Sequence, residues 1–222
     1  MLEASRGTPR VSLFEANFCD FEPPESLQPD ALFLDLGYNM SQLTDQTRGL
    51  SYSMDSPLDM RYSPKAPRSA AEVVNGFSPM ELAEIFVKFG EIDSPAAVNL
   101  ANKIVARRIS VGKIERTKEL LSLTGSVNPM PRFTSKAFQA LRVFVNEELD
   151  SLYKLPSLLE RLSKPQVQVA VLVFHSLEKK TLDSVIGSLV FSPGQASLPA
   201  LEVDPSLSRR SQRELRKPPR FD

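Results

Sequence analysis

The 222-residue chain has no tryptophan, a single cysteine, a single histidine, and no apolar run near the ~18 residues that span a bilayer. Cys19 alone cannot close an internal disulfide, and His175 alone cannot supply the His/Cys sets that hold zinc, so the sequence predicts neither a disulfide scaffold nor a metal centre. No two of the nine glycines form a Gly-x-Gly pair, which leaves no candidate for a turn that presses backbone against a cofactor. The first residues carry no apolar segment of signal type. These absences together predict a soluble protein inside the cell, without a membrane partner. Charge is balanced, with 27 basic and 27 acidic residues, so its total argues neither for nor against nucleic acid.

What is present is a composition able to bury a core, 41% hydrophobic and 24% charged. The charge is uneven. Arg209, Arg210, Arg213, Arg216, Lys217 and Arg220 face Glu214 alone, a basic tail suited to phosphates; a plain solvated terminus reads equally well. Val11–Phe14 and Ala31–Leu36 read as short strands, and Val167–Phe174 as a longer one whose continuous apolar second half fits a strand covered on both faces of a parallel sheet. Residues 48 to 61, with charge clusters and Pro and Gly breaks, read as an ordered polar loop following Asp35 and Gly37. The ends of strands in open α/β sheets are where ligand-binding groups are presented.

Between the strands the period is helical. Ser78-Pro-Met-Glu81 is a capping box that opens a helix ending at Gly90, and Ser94-Pro95 starts a second with Arg107 and Arg108 near its end. A third covers Arg116 to Leu123. A long one from Ser135 to Leu152 places Phe138, Leu141, Val145, Leu149 and Leu152 on one stripe and Gln139, Arg142 and Asn146 on another. Strands, a helical block, then a strand and a helix predict a parallel α/β sheet interrupted by an all-helical insertion.

Several segments, in this order, resemble the small-subunit ribosomal RNA methyltransferases that modify the exocyclic N4 amine of a cytosine, in particular their mitochondrial methyltransferase-like branch. They include Asn17-Phe18, Leu34-Asp-Leu-Gly37, Ser41-Gln-Leu43, Arg48-Gly49, Pro57-Leu-Asp-Met-Arg61, Phe89-Gly-Glu91, Ala137–Leu149 and Phe174-His-Ser-Leu-Glu178. The resemblance implies a Rossmann-like S-adenosylmethionine-dependent methyltransferase core over residues 1–66 and 133–222, with a helical insertion over 67–132 on the RNA side. It implies Phe18, Asp35 and Gln42 at the cofactor, and ribosomal RNA of the small subunit as partner. It further implies a mitochondrial matrix location, with the cytoplasm as the alternative. The family carries a Gly-Gly-His loop and a ribose-binding acid upstream of Asn17, for which this chain offers no match, so the core is expected to be incomplete at the N-terminus.

The remaining candidates each have two readings. Asp59 and Arg61 are expected at the substrate or active site, or else as an ion pair within their loop. His175 is expected to touch RNA or substrate, or else to satisfy backbone groups before the next helix. Arg142 and Asn146, with the basic tail residues Arg209, Arg210 and Arg213, are candidates for RNA contact, the alternative for the first two being an ordinary wet helix face. The activity expected is methyl transfer; the competing function is a catalytically inactive RNA-binding or ribosome-assembly relative.

Overall fold

A computed structural model describes residues 11–24, 27–37, 42, 45–162 and 167–190. The chain divides into two compact units, Met1–Val185 and Ile186–Asp222. The described part of the second unit, residues 186–190, is the end of a helix. Two strands pair in parallel, β1 (Ala31–Asp35) with β2 (Gln168–Leu172), Ala31 opposite Gln168 and Asp35 opposite Leu172. Parallel partners need a long crossover, which here contains nearly all the helices. Both strands therefore end at the same edge, where Leu36 and Gly37 lie beside residues 173–175.

The sheet is covered on one face. Leu32, Leu34 and Leu36 turn inward, and Phe18, Val143, Leu149, Leu152 and Leu177 pack around that side. The other face is open: Phe33 is 66% and Leu172 45% exposed. This corrects the expectation of a β2 buried on both faces. Its apolar run does not distinguish a doubly covered strand from a singly covered one, and among the described residues no element lies over Phe33 and Leu172. Residues 11–14 are not a strand either; Val11 and Leu13 stand in solvent with no pairing partner among the described residues.

The crossover contains α1 (Ala70–Gly76), α2 (Pro79–Gly90), α3 (Ser94–Ser110), α4 (Thr117–Val127) and α5 (Pro131–Val145). Ser69 with Glu72 and Ser78 with Glu81 make reciprocal capping boxes, and Asp93 caps α3 by accepting from the Ala96 N–H. One apolar cluster joins all five helices through Val73, Leu82, Phe86, Leu100, Ile104, Leu120, Phe138 and Leu141. Helices α2 and α5 approach closely because Gly90 has no side chain; a Cβ there would lie 2.9 Å from the Lys136 carbonyl oxygen.

Two boundaries differ from the sequence reading. The same cluster takes in Leu50, Leu58 and Met60, so the loop is ordered because it inserts apolar residues, the last two only 1% exposed. Loop and α5 thus pack with the helices of the expected insertion, and a division at 66/67 and 132/133 cuts through one core. The long helix expected from Ser135 to Leu152 also breaks. Asn146 ends α5, Glu147 turns left-handed at φ 50, and α6 (Glu148–Tyr153) and α7 (Leu155–Arg161) follow. The last helix among the described residues is α8 (Ser176–Val190).

Gly49 fixes the loop. Its φ is +65, and an added Cβ would lie 2.0 Å from the Pro57 carbonyl oxygen, a backbone atom that cannot step aside. Beyond it the Leu58 N–H donates to the Glu115 carbonyl at 2.8 Å, and the Met60 N–H to the Arg48 carbonyl at 2.6 Å. Gly49→Ala is therefore expected to destabilise the protein by about 2–4 kcal/mol, read as a lowered thermal midpoint, through left-handed strain and steric overlap together. Gly125→Ala, with nothing within 4 Å of its Cβ position, is the control and should be neutral or stabilising.

Candidate functional site at the carboxyl edge of the sheet

The shared strand edge carries Asp35 on β1 and, just past β2, Phe174 and His175. Asp35 is exposed and belongs to the open face with Phe33. His175 is fixed by a reciprocal cap at the start of α8. Its Nδ1 accepts from the Glu178 N–H at 3.3 Å, while Glu178 Oε2 accepts from the His175 N–H at 3.2 Å and the Phe174 N–H at 2.7 Å. The histidine therefore does satisfy backbone groups, as one of its two readings had it. Accepting at Nδ1 places the proton of the neutral ring on Nε2.

That Nε2 faces two carboxylates, Glu178 Oε1 at 3.3 Å and Glu148 Oε2 at 4.0 Å, yet is aligned with neither for a hydrogen bond. Glu148 is the centre of the arrangement. The Tyr62 hydroxyl donates to its Oε1 at 2.9 Å, and Arg142 grips it at both ends, Nε to Oε1 at 2.8 Å and Nη2 to Oε2 at 3.1 Å. Burial pushes the Glu148 carboxyl up, but His175, Arg142 and Tyr62 outweigh it and hold the group below the usual carboxylate range. Of these, Arg142 and Tyr62 make aligned hydrogen bonds, whereas His175 acts across a longer gap. Donor atoms of Glu148, His175 and Glu178 lie within 4.8 Å of one another, a spacing a cation could bridge. The tautomer opposes it: a metal needs the Nε2 lone pair where the network puts a proton, and Arg142 already neutralises Glu148.

The loop reaches this edge through Asn146. Its side-chain oxygen accepts from the Tyr62 N–H at 2.7 Å and its amide donates to the Met60 carbonyl at 2.8 Å, holding Met60 at a φ of 62. Arg48 supports the same turn by donating to the Arg61 carbonyl at 3.4 Å and to the Tyr62 carbonyl. Asp59 and Arg61 bind each other, Nε to Oδ1 at 2.9 Å and Nη2 to Oδ2 at 2.7 Å. Partial burial raises the Asp59 carboxyl, but the Arg61 contacts override it and lower it overall.

Several expected site residues thus have other placements. Arg142 and Asn146, candidates for RNA contact or for a wet helix face, turn their polar groups inward, to a buried carboxylate and to loop backbone. Phe18 sits in a short 3-10 turn (Phe18–Asp20) on the covered side of the sheet, opposite the face of Asp35, so the structure does not bring these two together. Gln42 is half-buried, and its backbone carbonyl accepts from the Asp45 N–H at 3.3 Å. Arg209, Arg210 and Arg213 lie outside the described residues. Glu148, Tyr62 and Glu178 were not singled out in advance. The His175/Glu178 spacing is that of a capping box and could have indicated the third; nothing local marks the other two.

An S-adenosylmethionine site needs polar groups for the amino acid and ribose ends. The cavity beside Phe18 is lined by Phe14, Ala16, Phe18, Phe21, Leu27, Pro29, Leu32, Leu34, Leu158 and Leu162, all apolar. The exposed Asp35 carboxylate suits a sulfonium or an amine, but the described residues do not assemble a complete pocket for the cofactor.

A parallel strand pair joined by a helical crossover defines an α/β architecture. Comparison with known proteins narrows this to a family. The sequence pattern of the MraW methylase family matches residues 3–216, and the chain belongs to that family. It is 38% identical over 159 residues to the ribosomal RNA small subunit methyltransferase H of Elusimicrobium minutum, covering 70% of this chain and 53% of that protein. The protein of the same name from Acidothermus cellulolyticus is 41% identical over 159 residues, covering 68% of this chain and 47% of its own length. That from Stenotrophomonas maltophilia is 34% identical over 203 residues, 88% of this chain and 62% of its own length. The chain thus spans about half the length of the curated relatives it matches.

Because the Glu148 carboxyl is held low in the folded state, its ionised form adds stability that is fully present above the unfolded glutamate value, about pH 4.3, and is lost as pH falls through the folded value. Thermal midpoints measured down to about pH 3 should therefore fall on the acid side. Glu148→Gln should cost about 3 kcal/mol near neutrality by leaving Arg142 half-paired, with the difference from the wild type shrinking as the medium is acidified.

Proposed function

We propose that this chain takes part in S-adenosylmethionine-dependent methylation of the N4 amine of a cytosine in small-subunit ribosomal RNA. The observation that carries the proposal is the exposed Asp35 carboxylate at the carboxyl edge of the parallel sheet, in a chain of the MraW methylase family. The relatives are named as ribosomal RNA small subunit methyltransferases, which supports the RNA substrate. A carboxylate at this edge accepts a hydrogen bond from an amine N–H, orients the nitrogen, and favours proton loss as the nitrogen gains a bond. When bound, the cofactor would supply an electrophilic methyl group on a sulfonium centre and would leave as the neutral thioether. Tyr62, Arg142 and His175, gathered on Glu148, hold the loop and the strand ends so that the edge is preorganised. The target base must leave its stack to reach this edge. The basic tail residues Arg209, Arg210 and Arg213 supply phosphate contacts, and the mitochondrial matrix is the compartment we assign.

The reading is tested by deleting the gene and mapping small-subunit RNA by mass spectrometry. One N4-methylcytosine should disappear and return on complementation. Asp35→Ala should restore no more than about one hundredth of the methylation rate. Unchanged RNA after deletion contradicts the proposal. A second reading, a non-catalytic RNA-binding relative, is favoured by the wholly apolar cavity beside Phe18. Saturable cofactor binding in calorimetry rejects it.

A further inference from the structure

Phe174 stands two residues past β2 and is 65% exposed, although its backbone N–H is tied down. Its N–H is held by the buried Glu178 carboxylate at 2.7 Å, and the next residue is locked by the His175/Glu178 cap. The ring is therefore an apolar plate presented to solvent on a fixed mount. The strand ends set its neighbours: Asp35 lies opposite Leu172, the Leu36 N–H donates to the Leu172 carbonyl at 3.3 Å, and Gly37 follows beside Phe174. The position a Cβ would take on Gly37 is 3.7 Å from Phe174 Cδ2, so the missing side chain at residue 37 leaves the aromatic edge uncovered. A carboxylate that accepts hydrogen bonds and an uncovered aromatic ring thus share one rim of the sheet.

We infer that Phe174 is the stacking platform for the target base: a flipped-out cytosine lies against its ring while its exocyclic amine donates to Asp35. Every base has a π-face that stacks on an aromatic side chain, but among the pyrimidines cytosine carries an exocyclic amine donor and uracil a carbonyl in its place. The ring therefore supplies affinity and the carboxylate supplies the choice of base. Leaving Phe174 exposed costs burial of a large apolar side chain, and stacking with the base recovers part of that loss. The inference deepens the proposed methylation reading and rests on it for the identity of the base.

The chain has no tryptophan, so Phe174→Trp creates a single reporter at the platform. The full chain carrying F174W is titrated with oligocytidylate and oligouridylate of about six nucleotides. Oligocytidylate should quench the indole saturably and bind at least about 5-fold more tightly than oligouridylate. Adding Asp35→Ala should abolish that preference while the quenching persists. In the otherwise native chain, Phe174→Leu should weaken oligocytidylate binding by about 5- to 100-fold, read by fluorescence anisotropy of a labelled oligomer, and Phe174→Tyr should restore most of it. Indole emission unmoved by either oligomer overturns the platform, as does emission that follows protein concentration instead, the mark of a second copy of the chain covering the ring. The methylation reading has its own failure, unchanged small-subunit RNA after gene deletion, so the two can be told apart.

Discussion

The Glu148 carboxylate is the contact on which the rest of the edge depends. A buried carboxylate without donors would take up a proton or distort its surroundings, since desolvation alone costs several kcal/mol. Here the cost is offset by a two-point grip from Arg142 and a hydroxyl from Tyr62, with His175 close by. These partners come from separate parts of the chain: the loop before α1, the end of α5, and the start of α8. One acid thereby bonds the polar loop to the end of α5 and lies 4.0 Å from His175 just past β2, so the three parts meet at it.

This constraint explains why the long helical period fails at residue 146. A continuous helix would turn Glu148 onto a different face from Arg142. Asn146 closes α5 and serves the Tyr62 N–H and the Met60 carbonyl, and the left-handed Glu147 after it turns Glu148 back to its donors. The rigidity extends to the strand ends. Glu178 caps α8 through the His175 and Phe174 N–H groups, and Glu91, at the left-handed end of α2, accepts from Ser176 and Lys180 on the same helix. Asp35 and Phe174 are thus presented on a frame held from both sides, which is what a site that orients one base requires.

The parts of this structure that were legible in the sequence are those written in local chemistry. Ser78 with Glu81, Ser94 with Pro95 and the apolar Ala31–Leu36 run each announce an element because cap and period act over a few residues. The Asp35 edge was legible as well, since a strand followed by Gly37 ends where such sheets present ligands. What was not legible depends on distant partners. The stripe of Arg142 and Asn146 looks like a wet helix face until the loop is brought against it, and no spacing rule shows that Tyr62 will meet Glu148. The exposure of Phe33 and Leu172 was hidden too, because an apolar strand reads the same with one face covered or two.

The central claim, that Glu148 couples the loop to the strand edge, is tested most directly by amide hydrogen exchange on the native chain and on Glu148→Gln. The account predicts faster exchange in the variant at two places together, the Tyr62 amide held by Asn146 and the Phe174 and His175 amides held by Glu178. Acceleration at one of these segments with the other unchanged would show that the loop and the strand edge are held independently, and would contradict it.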